Sequence, residues 1–257
     1  MNRSAYDEMF EIEDKHWWYL GLHDLIMVIL DRFLPNRPLR VLDVGCGTGG
    51  LMSIMAKSGH QVDGVDVSPD ALAYCRKRGL RTLIRADLND WTPEPDCYDV
   101  ITCIDVLYHA WIRNDVKILK SLAYGLKGNG RGVLVINNPA FAILTRAHDR
   151  VVMGNRRYTS GMIRSILSLA GLLPILVTYR LPHAFLPLLL KRLLELRRGG
   201  ESINSDIGQV SRSNGLLYAI NRLENRMIEN GLFWSFGSSL FVVAVECKKN
   251  HLDGANF

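Results

Sequence analysis

The sequence predicts an α/β fold in which short parallel strands alternate with helices. Apolar runs of strand length alternate with helical stretches between residues 39 and 137, and a glycine-rich turn follows the first run. Such alternation is typical of a parallel sheet with helices on both faces. Two late apolar runs, separated by a long insertion, predict an antiparallel hairpin at the sheet edge. A chain of 257 residues fits one domain with a small subdomain.

Residues 1–38 are expected to form a helical cap. Helical character extends from Met1 to Leu34, and apolar residues recur with helical spacing from Leu22 onward. Pro35 and Pro38 are expected to end this helix before the first strand begins.

The core domain is predicted over residues 39–180 and 235–257. Its strands are expected at Leu39–Val44, Gln61–Val67, Arg81–Arg85, Tyr98–Ile104, Gly132–Asn137, Leu173–Arg180 and Leu240–Lys248. Its helices are expected at Gly49–Ser58, Pro69–Arg78, Val116–Leu126 and Thr159–Ala170. Ser68 is placed to cap the helix from Pro69, and Gly79 is placed to end it.

Residues 181–234 are predicted to be a helical insertion. Its first part, residues 181–198, is rich in leucine and ends in a basic cluster. Pro187 is expected to allow a helix only from about that point. Such a helix fits a lid over an apolar substrate pocket, a contact with a second subunit in a homodimer, or a peripheral contact with an anionic membrane. The lid is the first choice.

The composition permits several partners and argues against others. A net charge of +5 and a pI near 9.0 favour anionic partners weakly, although basic clusters are usually solvated helix faces. The five cysteines have no C-x-x-C spacing, so neither a metal site nor dithiol chemistry is predicted. The N-terminus lacks the pattern of a signal peptide and the apolar runs are too short to span a bilayer. We therefore expect a cytoplasmic protein.

The segment Asp43–Gly50 lies at a predicted turn from strand to helix. Glycines there let the backbone approach a ligand, and the helix N-terminus offers unpaired N–H groups. Gly45, Gly47 and Gly50 match G-x-G-x-x-G, the pattern of dinucleotide sites, and Asp66 lies where an acidic residue would bind ribose hydroxyls. The loop alone therefore leaves a nicotinamide cofactor and S-adenosylmethionine as alternatives.

Four segments, taken together, resemble the class I S-adenosylmethionine-dependent methyltransferases. They follow one another at the usual spacing: Asp43–Gly50, Arg85–Leu88, Tyr98–Val100 and Ile104–His109. The resemblance covers residues 39–137. It implies a Rossmann-like, seven-stranded, mostly parallel sheet with an antiparallel last strand. The nicotinamide alternative gains no support, since no tyrosine is followed four residues later by lysine.

The resemblance also implies the cofactor, S-adenosyl-L-methionine, and the residues around it. The backbone of Gly45–Gly49 would line its methionine part, and Asp66 would bind its ribose. Asp87 and Leu88 would contact the adenine, and Ile104 would lie near the methionyl group. The full set of implied cofactor residues is Asp43, Gly45, Cys46, Gly47, Gly49, Asp66, Val67, Asp87, Leu88, Ile104, His16 and Trp17.

The flanks resemble the bacterial small-molecule methyltransferases. Glu13–Tyr19 is similar to their entry segment, although Gly21-Leu22-His23 replaces the basic residues that usually follow. Pro139–Phe141, His148-Asp149 and Arg156–Thr159 are similar to their substrate side. This resemblance implies a biosynthetic enzyme with a small, partly hydrophobic acceptor, such as a natural product or a lipid-like molecule.

Methyl transfer is a displacement that requires alignment and exclusion of water, with a base only where the acceptor carries a proton that must leave early. The catalytic candidates are His109, His148 and Tyr108. His109 follows the fourth strand, although a packed histidine is the alternative; His148 could be oriented by Asp149.

Two other functions compete. A tRNA or rRNA methyltransferase would suit the basic pI, but the N/D-P-P-Y/F motif is replaced by Asp105-Val106-Leu107-Tyr108 and no recognition domain is evident. Nucleic acid is therefore not the expected partner. The other alternative is a protein that binds S-adenosylmethionine for non-methylating chemistry or as a binding partner.

Overall fold

A seven-stranded sheet forms the centre of the computed structural model, which describes residues 3–34, 38–128, 130–145, 153–198, 210 and 212–247. The strands are β1 (Arg40–Val44), β2 (Gln61–Asp66), β3 (Leu83–Arg85), β4 (Val100–Ile104), β5 (Val133–Pro139), β6 (Leu172–Arg180) and β7 (Ser239–Glu246). Their order is β3-β2-β1-β4-β5-β7-β6. Strand β7 is antiparallel to β5 and β6, and the remaining pairs are parallel. The predicted Rossmann-like sheet with an antiparallel last strand is confirmed.

Helices cover both faces of this sheet. They are α1 (Arg3–Ile12), α2 (Trp17–Phe33), α3 (Gly50–Lys57), α4 (Pro69–Lys77), α5 (Asp115–Gly125), α6 (Ser160–Leu169), α7 (Pro182–Arg198) and α8 (Asn214–Glu229). Side-chain caps begin four of the described helices, and the His16 imidazole caps α2 by accepting a hydrogen bond from the Trp18 N–H. The predicted cap Ser68 accepts a hydrogen bond from the Ala71 N–H, and Asn114 and Thr159 act in the same way at α5 and α6.

Two apolar layers enclose the sheet. Strands β4, β5 and β7 are buried along nearly their whole length, as expected where helices cover both faces. One layer contains Leu107, Leu119 and Leu167. The other contains Ile29 and Phe241. This packing fixes the carboxyl ends of the strands relative to one another.

The first residue of α7 differs from the sequence prediction. The prediction that a helix could exist only from about Pro187 is wrong, because α7 begins at Pro182 and contains Pro187 within it. Pro182 occupies the first position of the helix, where an N–H has no partner in any case. Because Pro187 has no N–H, the helix lacks one hydrogen bond, the one to the carbonyl of His183.

The N-terminal cap and the insertion contact each other. The Asn221 side chain donates a hydrogen bond to the Trp17 carbonyl, at 3.1 Å, and Asn225 donates one to the Gly21 carbonyl, at 2.7 Å. A Cβ atom on Gly21 would overlap the Asn221 side chain, so glycine permits the close approach of α2 and α8. Apolar residues of both helices belong to the core layer on one face of the sheet. Within the described ranges, no helix has both the length and the apolar character needed to cross a bilayer.

Candidate functional site

A cavity of about 870 Å³ lies at the carboxyl edge of the sheet. Its walls come from the loop after β1, the ends of β2 and β4, the N-terminal helices and α7. β1 and β4 are neighbours at the point where the strand order reverses, which is where open α/β sheets bind ligands. The volume is near the upper end of the roughly 300–1,000 Å³ range of small-molecule sites.

The glycine loop forms one end of this cavity. Gly45, Gly47 and Gly49 have φ angles of +68°, +53° and +82°, a region that side chains with a Cβ rarely adopt. Space is also limited, because a Cβ on Gly45 would overlap the side chain of Val106 and one on Gly47 would lie 3.2 Å from Met9 Sδ. The loop therefore needs glycine for both conformation and room.

The side chain of Asp66, at the end of β2, accepts a hydrogen bond from the backbone of the loop. One of its carboxylate oxygens accepts the Gly47 N–H at 3.0 Å, and the other accepts the Ser68 N–H at 2.8 Å. Burial raises the pKa of Asp66, and these two backbone hydrogen bonds oppose the rise. The arrangement fits a cofactor with ribose hydroxyls, because a fixed carboxylate can accept from them beside a backbone open to close approach.

Asp43 forms a second buried carboxyl group in the wall, beneath the loop. It accepts a hydrogen bond of 2.6 Å from the Thr102 hydroxyl. Burial raises its pKa to about 7, against the effect of that bond.

Glu13 joins the N-terminal segment to the glycine loop. Its carboxylate accepts hydrogen bonds from the Gly50 N–H at 3.2 Å, from Arg78 at 2.7 Å and from the Thr48 hydroxyl. Arg78 also pairs with Asp14 at 2.7 Å. Burial raises the pKa of Glu13, whereas the bonds from Thr48 and Arg78 lower it. This network holds α1 across the loop. The segment from Glu13 onward was recognisable in the sequence, but this role of Glu13 was not, because its partners are distant in the chain.

Aromatic rings form the wall beyond the loop. Tyr108 and His109 stack with ring centroids 4.3 Å apart, and His109 and Trp111 stack at 5.6 Å. Trp17 and Tyr19 of α2 also line the cavity. The wall is suited to a flat or apolar ligand.

The end of β4 places an acidic side chain among these rings. Asp105 follows β4, lines the cavity and has a φ of +52°. Its Oδ1 accepts a hydrogen bond of 3.0 Å from the Asn137 side chain. Burial raises its pKa to about 7, against the effects of Asn137, Arg180 and Arg157.

Basic groups lie at the cavity wall and behind it. Arg157 and His183 line the wall there, and the Arg157 guanidinium donates to the Ala140 carbonyl at 3.1 Å. Arg180 is fully buried, and none of its guanidinium nitrogens has a hydrogen-bond partner among the described residues. His23 also lines the cavity, and burial lowers its pKa to about 4.

Most of the predicted site residues meet at this cavity. The predicted cofactor residues that line it are Asp43, Gly45, Cys46, Gly47, Asp66, Val67, Leu88, Ile104, His16 and Trp17. The catalytic candidates Tyr108 and His109 also line it.

Two predicted residues, Gly49 and Asp87, are not part of the cavity wall, and a third lies outside the described residues. Gly49 caps α3 and packs beside Cys75. Asp87 accepts hydrogen bonds from the backbone and side chain of Asn89 next to the cavity. His148 lies outside the described residues. The roles of all three remain predictions.

Comparison with known proteins identifies what this chain is similar to. Residues 41–130 match a family model described as a methyltransferase domain. The chain is 30% identical over 137 residues to a ubiquinone biosynthesis O-methyltransferase of Aeromonas salmonicida, a match covering 48% of this chain and 57% of the relative. The chain therefore spans little more than half the length of this relative.

Solved structures share the fold over most of the chain. An S-adenosylmethionine-dependent methyltransferase from Mesorhizobium loti has a TM-score of 0.57 at 17% identity, covering 90% of this chain and 99% of that one. The [4+2]-cyclase SpnF has a TM-score of 0.55 at 17% identity, covering 87% of this chain and 81% of that one. Identities this low show a common fold and nothing about the reaction.

Proposed function

We propose that this chain, which carries a class I S-adenosylmethionine-dependent methyltransferase domain, transfers a methyl group to a small, partly apolar acceptor. One observation carries the proposal. The glycine loop, held by the 3.0 Å bond from the Gly47 N–H to Asp66, opens into the same cavity as an aromatic and apolar wall. A cofactor end and an acceptor end within one enclosed space are what methyl transfer requires.

Separate residues of the chain would bind each part of the cofactor and the acceptor. When bound, S-adenosylmethionine supplies an electrophilic methyl group on a sulfonium. Asp66 would hold the ribose, the backbone of Gly45 and Gly47 would lie along the methionine part, and Leu88 would lie against the adenine. Asp87 would reach the adenine amino group from beside the cavity. Tyr108 and His109 are proposed to contact the acceptor.

The acceptor end supports a partly apolar molecule. Ala184, Pro187 and Leu188 of α7, with Leu144 and Leu217, face the cavity. Exclusion of water by such residues strengthens the electrostatic interactions inside. The Aeromonas relative is named as an O-methyltransferase of ubiquinone biosynthesis. This name supports a lipid-like acceptor for the present chain, with oxygen as the methylated atom.

The three predicted segments are proposed to act together. The cap, residues 1–38, and the insertion, residues 181–234, both contribute to walls that the core domain leaves open. Their contacts at Asn221 and Asn225 support a lid built from both. Entry of the acceptor would then need movement of α7 or α1.

The outer side of α7 suits a further partner. Leu186, Leu190 and Leu193 are 62%, 60% and 48% exposed, and Lys191 lies beside them. We propose peripheral contact with an anionic membrane, with a homodimer as the alternative. Co-sedimentation with phosphatidylglycerol vesicles supports the membrane, whereas a dimer in light scattering without vesicle binding supports the alternative. A cytoplasmic location and the absence of a nucleic-acid partner remain predictions.

A panel of acceptors tests the proposed function. Purified protein is incubated with S-adenosylmethionine and small phenols, catechols, amines and alcohols bearing alkyl chains, and S-adenosylhomocysteine and a mass gain of one methylene on the acceptor are measured. Asp66→Asn should lose turnover through weaker cofactor binding. The matched control Asp90→Asn, at an exposed ion pair outside the cavity, should retain it. Tight cofactor binding without turnover on any acceptor would favour a non-methylating or partner role instead.

A further inference from the structure

The carboxyl edge of the sheet contains three strained residues. Asp105, Phe141 and Leu181 follow β4, β5 and β6, and their φ angles are +52°, +54° and +59°. A residue with a Cβ adopts this region at a cost in free energy, and surrounding structure must enforce it. Such residues cluster at ligand sites. Among the three, Asp105 is the one with a titratable side chain at the cavity wall.

The side chain of Asp105 is fixed through one oxygen. Asn137 donates to Oδ1 at 3.0 Å, and the Asp105 N–H donates to the Asn137 carbonyl at 2.8 Å. The described residues place no hydrogen-bond donor on Oδ2. One carboxylate oxygen is thus oriented by the protein and the other is left at a wall that an acceptor would touch.

Charged and titratable groups surround this carboxyl from several elements. Arg180 from β6 and Arg157 from the segment before α6 both favour its charged form. Asp105 also acts on Tyr19 of α2 and Cys103 of β4, because its negative charge contributes to raising the pKa of each. Both are neutral near pH 7, so the two arginines are the charges that act on Asp105.

We propose that Asp105 is the base that takes the proton from an aromatic hydroxyl group of the acceptor. The acceptor O–H bond breaks and its proton goes to Oδ2. The oxygen then uses the freed electron pair to bond the methyl carbon as the carbon–sulfur bond breaks, with that bond's electron pair remaining on sulfur. The products are a methyl ether, S-adenosylhomocysteine and a protonated Asp105, which releases the proton to water. This assignment rests on the proposed function.

Two features select an aromatic hydroxyl. The stacked rings of Tyr108, His109 and Trp111 offer a surface for an aromatic ring. The pKa of Asp105, raised to about 7 by burial, lies within a few units of that of a phenol, about 10. A carboxylate with a pKa near neutrality is both ionised and basic enough to accept such a proton. An aliphatic hydroxyl is a far weaker acid and would not release its proton to this group.

The test uses 4-hexylcatechol as the acceptor probe. Rates are measured from pH 5.5 to 9 for the wild type, Asp105→Asn, Asp105→Gly and the control Asp90→Asn. Glycine tolerates the φ of +52°, so Asp105→Gly removes the carboxyl without backbone strain. We expect kcat/KM of the wild type to rise with pH through about 7, and to fall about 100-fold or more in both variants. The rise near pH 7 should also disappear.

Two further readouts separate a base from a structural group. Added formate should restore part of the rate of Asp105→Gly, because a small carboxylate can occupy the vacated space. Calorimetric affinity for S-adenosylhomocysteine should stay within threefold of the wild type in both variants. Asp90→Asn should match the wild type in every measurement.

Each contrary outcome has a distinct meaning. If the wild type methylates nothing in the acceptor panel, the proposed function fails and the base assignment fails with it. If the wild type methylates only acceptors that lack an aromatic hydroxyl, or if Asp105→Asn keeps the wild-type rate and pH profile, the base assignment alone is overturned. Loss of rate in Asp105→Gly without rescue by formate, together with weakened S-adenosylhomocysteine binding, would assign Asp105 a structural role and overturn the proposal.

Discussion

The buried imidazole of His23 predicts a defined loss of stability in acid. His23 is 6% exposed in the cavity wall, and its Nδ1 has no hydrogen-bond partner among the described residues. Burial lowers its pKa from 6.5 to about 4, and the nearby charges of Arg78 and Arg180 add to this, against the effect of Asp14. The folded protein therefore holds His23 neutral at a pH where the unfolded chain binds a proton.

The direction and size of the effect follow from proton linkage. Stability rises with pH wherever the unfolded state binds more protons. Above pH 6.5, His23 therefore does not lower the free energy of unfolding. Below that pH the free energy that it costs the folded state grows until about pH 4, where it levels off. At pH 5 the unfolded chain is mostly protonated at this residue and the folded one is not, which corresponds to a loss of about 2 kcal/mol.

The variant His23→Gln should remove this contribution. Free energies of unfolding are measured by urea titration at pH 7.5 and pH 5.0 for both proteins. Asp43 and Asp105, whose pKa values are raised to about 7, contribute with the opposite sign, but they are common to both proteins. The wild type should lose about 2 kcal/mol more than the variant between the two pH values. An equal change in the two proteins would refute the burial of a neutral His23.

Three other predictions concern the loop and its supports. Asp66→Ala should weaken S-adenosylmethionine binding at least tenfold, because the ribose hydroxyls lose a charged acceptor; unchanged affinity on calorimetric titration would contradict the assignment. Gly47→Val should abolish binding while the protein stays folded, because a side chain there meets Met9 and requires a positive φ; normal binding would exclude the loop as the site. Glu13→Gln should loosen α1 and lower the affinity for S-adenosylhomocysteine severalfold, because the Gly50 N–H and Arg78 lose a charged acceptor. Proteolysis within α1 and calorimetry measure these two effects, and the exposed control Glu11→Gln should show neither. Equal behaviour of the two variants would argue against Glu13 as the residue that connects α1 to the loop.

The fold and the glycine-loop end of the cavity were accessible from the sequence because local rules govern them. Ser68 caps α4 as predicted, since its hydroxyl needs only the N–H three residues on. Strand alternation and the glycine turn likewise depend on neighbours in the chain. The glycine pattern of Asp43–Gly50, together with the place of Asp66 at the end of the second predicted strand, was enough to indicate that both would lie at one site.

The other walls of the cavity were less accessible from the sequence because contacts between distant parts of the chain build them. Nothing local marks Arg180, at the end of β6, as fully buried, since an arginine at a strand end usually reaches solvent. Asp105 was part of a recognised segment, yet its hydrogen bond from Asn137 and its burial depend on elements that are distant in the chain. Pro187 indicated a helix boundary by local rules, and packing of α7 over the cavity overrode them.

The position of S-adenosylhomocysteine in a crystal structure of the complex tests the central claim most directly. We expect the ribose hydroxyls within hydrogen-bond distance of Asp66 and the amino-acid part along Gly45 and Gly47. The sulfur should face the wall formed by Asp105, Tyr108 and His109. A complex in which the ligand lies away from the glycine loop, or with its sulfur turned from that wall, would contradict it.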